Sequence, residues 1–126
     1  MSHRLLVVED NPVNCELLCD WLDTEGFVVD AASNLQEAFA AIARSKPHAV
    51  LLDVQLGAED GLTLASWIRN EPRYRSLPVI AVTAHAMLTD QHRVMQAGCN
   101  ACVSKPIDFK VLKSHLQAFL PDLKVI

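Results

Sequence analysis

Ala49-Val50-Leu51-Leu52-Asp53 is an apolar run that stops abruptly on an acid. Four consecutive apolar residues without polar alternation fit a strand covered on both faces, the pattern of a central strand in a parallel sheet. Leu5-Leu6-Val7-Val8 upstream repeats the pattern and stops on Glu9-Asp10, and Val79-Ile80-Ala81-Val82 downstream stops on Thr83. Two weaker runs complete a set of five: Phe27-Val28-Val29-Asp30-Ala31, and the short Ala101-Cys102-Val103-Ser104, which leads into Lys105-Pro106.

Helical spacing fills the intervals between these runs. Asn11 offers an N-cap and Pro12 a first helical position, after which Val13, Leu17, Leu18, Trp21 and Leu22 recur at helical spacing and Gly26 supplies a stop. Ser33 or Asn34 can cap a second helix with Leu35, Ala38, Phe39 and Ile42 on its apolar face, closed before Pro47. A loop with Gly57 and Gly61 leads to a third helix bearing Leu62, Ala65 and Ile68. A fourth covers roughly residues 89–97 and closes at Gly98. The fifth starts near Asp108 and shows Phe109, Leu112, Leu116 and Phe119. Strands alternating with helices predict an α/β fold: a doubly wound parallel sheet of five strands with helices on both faces, in one domain over residues 1–126.

Composition narrows the function classes. Of 126 residues, 51% are hydrophobic and 21% charged, which describes a globular chain with a core of its own. No apolar run approaches the roughly 18–20 residues of a membrane helix, and the start of the chain reads as a strand without a secretory cleavage site, so a cytoplasmic protein is expected. The net charge of −4 argues against wholesale nucleic-acid binding. Its distribution is uneven, with eleven acids against three bases in residues 1–60 and four against eight in the remainder. Four cysteines occur. Cys99 and Cys102 have redox-motif spacing but follow a helix and enter a strand, the reverse of the usual context. Cys15 and Cys19 lie four apart on a helix and could meet. The default for all four is small, partly buried side chains.

Function is read from where the polar residues fall. In a parallel sheet Glu9, Asp10, Asp53, Thr83 and Lys105 all lie at one edge, where open α/β sheets place their sites. Crowded carboxylates raise one another's pKa unless positive charge intervenes. Lys105 supplies one charge, and a divalent cation would supply more. An all-oxygen donor set suits Mg²⁺, with Mn²⁺ a feasible substitute. A phosphoryl group held there would meet a cation, an ammonium and a hydroxyl, which is most of what phosphoryl transfer asks of a protein. Asp53, in mid-sheet, is the carboxylate placed to act as nucleophile.

These residues resemble response-regulator receiver domains. The stretches that carry the resemblance are Val7-Val8-Glu9-Asp10-Asn11, Leu51-Leu52-Asp53-Val54-Gln55-Leu56 with Asp60-Gly61, Pro78-Val79-Ile80-Ala81-Val82-Thr83-Ala84, and Gly98 followed by Ser104-Lys105-Pro106. Together they cover essentially the whole chain, and the chain is similar to the stand-alone type found among chemotaxis and cell-division regulators. The resemblance implies a flavodoxin-like (βα)5 fold with strand order 2-1-3-4-5. It implies a phosphoacceptor signalling protein, not an enzyme acting on a metabolite. Asp53 would receive phosphate from a phosphohistidine on a histidine kinase or phosphotransfer protein. Glu9, Asp10 and the main-chain carbonyl of Gln55 would hold Mg²⁺ with it. Thr83 and Lys105 would grip phosphate oxygens, and the peptide bond before Pro106 would be cis. With no DNA-binding segment in view, output would go through protein contact at the fourth helix, fifth strand and fifth helix.

Three departures from the family pattern stand out. Cys102 occupies the place of the usual switch aromatic, so an aromatic swing cannot be the readout. Leu56-Gly57 replaces the usual Met-Pro and leaves that loop less restrained. Gln55 and His85 stand two residues beyond Asp53 and Thr83, where phosphate lifetime is commonly tuned. Rival readings are a receiver excised from a hybrid kinase, a degenerate receiver acting only as a binding module, an Asp-nucleophile phosphohydrolase and a nucleotide binder. The phosphohydrolase would want a second Asp where Gln55 stands. The nucleotide binder would want a Gly-rich loop after the first strand, which is absent.

Overall fold

The computed structural model describes residues 3–84 and 88–120. Five strands, β1 (Arg4–Val8), β2 (Val28–Ala32), β3 (Ala49–Asp53), β4 (Val79–Thr83) and β5 (Ala101–Ser104), alternate with five helices, α1 (Pro12–Thr24), α2 (Leu35–Ser45), α3 (Leu62–Asn70), α4 (Leu88–Gln96) and α5 (Phe109–Phe119). The strands form one parallel sheet in the order β2-β1-β3-β4-β5. No helix among the described residues is long and apolar enough to cross a membrane.

Strand parity sorts the core into two layers. Leu5 and Val7 of β1, Ala49 and Leu51 of β3, Ile80 of β4 and Ala101 and Val103 of β5 pack with Leu18 and Leu22 of α1 and Leu112 and Leu116 of α5. The intervening residues, among them Leu6, Val8, Val50, Leu52 and Ala81, pack on the other face with Ala38 and Ile42 of α2, Ala65 and Ile68 of α3 and Val94 of α4. Every residue of β3 and β4 is buried, as unbroken apolar runs require.

The expected caps form. Asn11 Oδ1 accepts from the N–H groups of Val13 (2.9 Å) and Asn14 (3.1 Å), Asn34 Oδ1 from Glu37 (2.8 Å), and Asp108 Oδ1 from Lys110 (2.9 Å). Some details differ from the sequence reading. Phe27 precedes β2 because its N–H donates to the Leu22 carbonyl (3.1 Å), closing α1 around Gly26 at φ +90° while the ring enters the core. Val13 and Leu17 point outward, 72% and 60% exposed, and α1 docks through Leu18 and Leu22 instead. α4 spans Leu88–Gln96, one residue earlier than expected.

Arg69 of α3 ties together the ends of the sheet remote from the strand-end acids. It donates to the carbonyls of Gly98 (2.7 Å), Arg75 (2.9 Å) and Leu77 (2.7 Å) and to the Asn100 side chain.

Candidate functional site

Strand pairing continues past the strand ends and fixes the site's backbone. Glu9 N–H donates to Ala32 O (3.0 Å), Val54 N–H to Val82 O (3.1 Å) and Lys105 N–H to Thr83 O (2.8 Å). Glu9 and Asp10 therefore leave β1, Asp53 closes β3, Thr83 closes β4 and Lys105 follows β5, all at one edge. Glu9, Asp53 and Thr83 are buried, and Asp10 is exposed at the rim. The Lys105–Pro106 peptide bond is cis.

Lys105 Nζ bridges two of the acids, 2.9 Å from Asp53 Oδ2 and 3.1 Å from Glu9 Oε1. Asp53 Oδ1 accepts from the Gln55 N–H (3.0 Å), and Glu9 Oε2 from the Asn11 N–H (3.3 Å). One carboxylate oxygen from each of Glu9, Asp10 and Asp53 lies within 4.8 Å of the others. One ammonium among three carboxylates leaves the cluster short of positive charge. Hard oxygen donors at this separation fit a divalent cation of the Mg²⁺ or Ca²⁺ kind.

The charge imbalance shows in proton affinity. Burial, then hydrogen bonding and repulsion from Asp53, push the Glu9 carboxyl up from 4.5 to about 7, against the pull of Lys105 and the Asn11 N–H. Lys105 loses affinity for its proton through burial, but Asp53 and Glu9 outweigh that and raise its pKa.

The sign for stability follows from linkage. Between pH 4.5 and about 7 the folded chain keeps a proton on Glu9 that the unfolded chain has released. Metal-free stability is therefore expected to fall as pH rises through that window and to level off above it. A divalent cation held by these acids would compete with the same proton, so any Mg²⁺ affinity is expected to climb by up to about tenfold per pH unit below 7 and then flatten. Mg²⁺ titrations from pH 5.5 to 8 check this. Glu9→Gln should flatten the profile, and an equally steep profile in that variant would refute the assignment.

Gln55-Leu56 and Glu59-Asp60 form a two-residue antiparallel pair, with Gly57 at its tip at φ +59°. Gln55 is exposed at the mouth of the site. Gly61 seats this loop, its N–H donating to Val54 O at 2.7 Å. A Cβ on Gly61 would collide with the main-chain carbonyls of Asp53 and Val54. Gly61→Ala is expected to cost about 1–3 kcal/mol by denaturant unfolding. A variant as stable as the parent would show that the loop gives way freely.

Two cavities open at this edge of the sheet. One of about 460 Å³ lies towards α1 and α5 and is lined by Asp53, Lys105, Asn14, Leu17, Pro106 and Phe109, among others. One of about 400 Å³ lies between the Gln55–Asp60 loop and α4 and includes Thr83, Asp90 and Arg93. Sequence reasoning missed Arg93, which pairs with Asp60 Oδ2 at 3.1 Å, while Asp60 Oδ1 caps α3 by accepting from Leu62 N–H at 3.0 Å. Nothing in the local pattern pairs two charges 33 residues apart. Cys102 is half-buried beside Ala81 on the sheet face that carries α4. Burial, with nearby Asp90, raises its thiol pKa. His85 lies outside the described residues.

Comparison with known proteins places this arrangement. The family model of the response regulator receiver domain matches residues 5–117. The polar-differentiation response regulator DivK of Brucella anthropi is 34% identical over 122 residues, covering 97% of this chain and 99% of that one. Among solved structures, a chain from Chloroflexus aurantiacus superposes with a TM-score of 0.90 at 30% identity, over 96% of this chain and 99% of that one. The receiver domain of the sensor histidine kinase PA1611 of Pseudomonas aeruginosa has a TM-score of 0.87 at 31% identity, over 97% and 100% of the two chains. Its crystal structure has a magnesium ion coordinated in the active-site cleft. The match over residues 5–117, with a relative 34% identical over 97% of this chain, shows that the chain belongs to the response regulator receiver family.

Proposed function

We propose that Asp53 is the phosphoacceptor of a two-component signalling switch, supplied by a phosphohistidine on a histidine kinase or phosphotransfer protein. The observation that carries this reading is the setting of Asp53. It is a buried carboxylate at the end of a central strand, with one oxygen on Lys105 Nζ and two more acids within 4.8 Å. Glu9, Asp10, Asp53 and the main-chain carbonyl of Gln55 would hold Mg²⁺, which would neutralise charge on the phosphoryl oxygens. The Asp53 carboxylate oxygen forms the new bond to phosphorus as the donor's N–P bond breaks, and the imidazole leaves with the electron pair and takes up a proton. Lys105 and the Thr83 hydroxyl hold phosphoryl oxygens, Lys105 trading its present hold on Asp53 for them. Gln55, exposed at the mouth of the site, would influence an attacking water, and the resemblance gives His85, two residues beyond Thr83 in sequence, the same role.

The exposed Leu17 at the Asp53 cavity, with exposed Val13 one turn earlier on α1, suits the approach of a protein donor better than that of a small molecule alone. For output, the exposed Met95 of α4 and Val111 of α5, with Cys102 between their helices in sequence, favour a target protein at the α4–β5–α5 surface. Four free thiols suit the reducing cytoplasm.

Incubation with acetyl phosphate and Mg²⁺, followed by intact mass, tests the reading. The expected result is a single added phosphoryl group, stable in acid, labile in base and absent when Mg²⁺ is chelated. Labelling that ignores chelation would overturn the metal-assisted mechanism.

A further inference from the structure

Away from the acidic cluster, α1 carries a second set of ligand-capable side chains. Cys15 Sγ and Cys19 Sγ lie 3.8 Å apart, one helical turn from each other, both half-buried and both free thiols. They pack at the edge of the layer that holds Trp21 and Phe109, whose ring centroids lie 4.8 Å apart at a 30° tilt. The helix between and beyond them bears Glu16, Asp20 and Asp23 and no lysine or arginine.

Two thiols this close can be joined in two ways, and helix geometry separates them. A disulfide needs Cβ atoms about 3.5–4.5 Å apart. Residues four apart on a helix hold theirs at about 5–6 Å, so a disulfide would break the first turns of α1. A metal ion asks for less. Metal–sulfur bonds of about 2.3 Å set two sulfurs about 4.6 Å apart across a linear ion, so the pair at 3.8 Å has to open by under about 1 Å, which side-chain rotation supplies with the backbone unmoved.

We propose that Cys15 and Cys19 form a dithiol site for a soft monovalent cation, Cu(I). Two sulfur donors satisfy an ion content with two ligands, whereas Zn²⁺ would be left with half of its tetrahedral shell unfilled. Binding replaces two S–H protons with two S–Cu bonds and releases those protons to solvent, with no change in the oxidation state of copper or sulfur. The acids on α1 favour the incoming positive charge. Burial and the neighbouring Cys15 push the Cys19 thiol up to about 12, so Cys19 gives up its proton only to a strongly thiophilic ion.

Anaerobic competition between the full-length chain and bicinchoninate for Cu(I) tests the proposal. The parent should take one equivalent from the indicator. Cys15→Ser and Cys19→Ser should each weaken binding at least tenfold with an unchanged far-UV spectrum. A Cys99→Ser/Cys102→Ser double variant should match the parent. Zn²⁺, measured against a zinc indicator, should bind at least 100-fold more weakly. Parent-like binding by either helix variant, loss of binding in the double variant, tighter binding of Zn²⁺ or no copper retained at all would each overturn it. Phosphoryl labelling uses none of these sulfurs, so the outcome is independent of the reading of Asp53.

Discussion

Asp53→Asn is expected to lose phosphoryl labelling by acetyl phosphate and Mg²⁺ at least 100-fold while keeping the native fold. The amide can still accept the Gln55 N–H bond that now reaches Asp53 Oδ1. It lacks the anionic oxygen that would attack phosphorus in the proposed reaction, and neutral amides are poor nucleophiles at oxygen. Glu9 is kept from substituting by its place: one of its oxygens holds Lys105 Nζ and the other the Asn11 N–H. Asp10, at the exposed rim, lacks the lysine contact that would position it. Intact mass with peptide mapping decides the matter. If the Asn variant is labelled as fully as the parent, the acceptor is one of the other acids.

Lys105→Ala should damage both chemistry and stability. Its Nζ bridges Glu9 and Asp53, and removing it leaves two buried carboxylates facing each other. Breaking a buried pair costs about 3–5 kcal/mol. The lysine side chain is 25% exposed, so about 2–3 kcal/mol is expected in metal-free buffer near neutral pH. Mg²⁺ should restore part of the loss by supplying the missing charge. Labelling should fall roughly 100- to 1,000-fold, the usual effect of deleting one donor to developing oxyanion charge. Lys105→Arg should recover little, because a planar fork does not replace a point charge held 2.9 and 3.1 Å from two separate carboxylates. Thermal melts with and without Mg²⁺ that match the parent would show that the bridge carries no weight.

The sheet and its site edge were legible because the signals are local. Buried parallel strands write unbroken apolar runs, and the residue that ends each run sits at the edge where the site forms. Asn11-Pro12 and Asp108 announce helix starts by the same local logic. Other features depend on tertiary choice. Val13 and Leu17 keep helical spacing with Leu18 and Leu22, and periodicity cannot say which of two overlapping stripes meets the sheet. Glu59 accepts the Leu35 N–H of α2 at 3.1 Å across 24 residues, and Asp60 meets Arg93 across 33, so neither pairing leaves a local trace. Lys46 closes α2 at φ +49°, a conformation that composition assigns first to glycine.

Asp60 has a consequence for how news travels through the molecule. One oxygen anchors the beginning of α3 and the other grasps α4, so a single carboxylate mechanically yokes the loop after Asp53 to α4. Both partners are wet, and the link is worth up to about 1 kcal/mol, or roughly fivefold in an equilibrium. Thermodynamic reciprocity makes the yoke pull in both directions. Whatever grips α4 also retunes the loop that cradles Asp53, and dissolved salt loosens the connection.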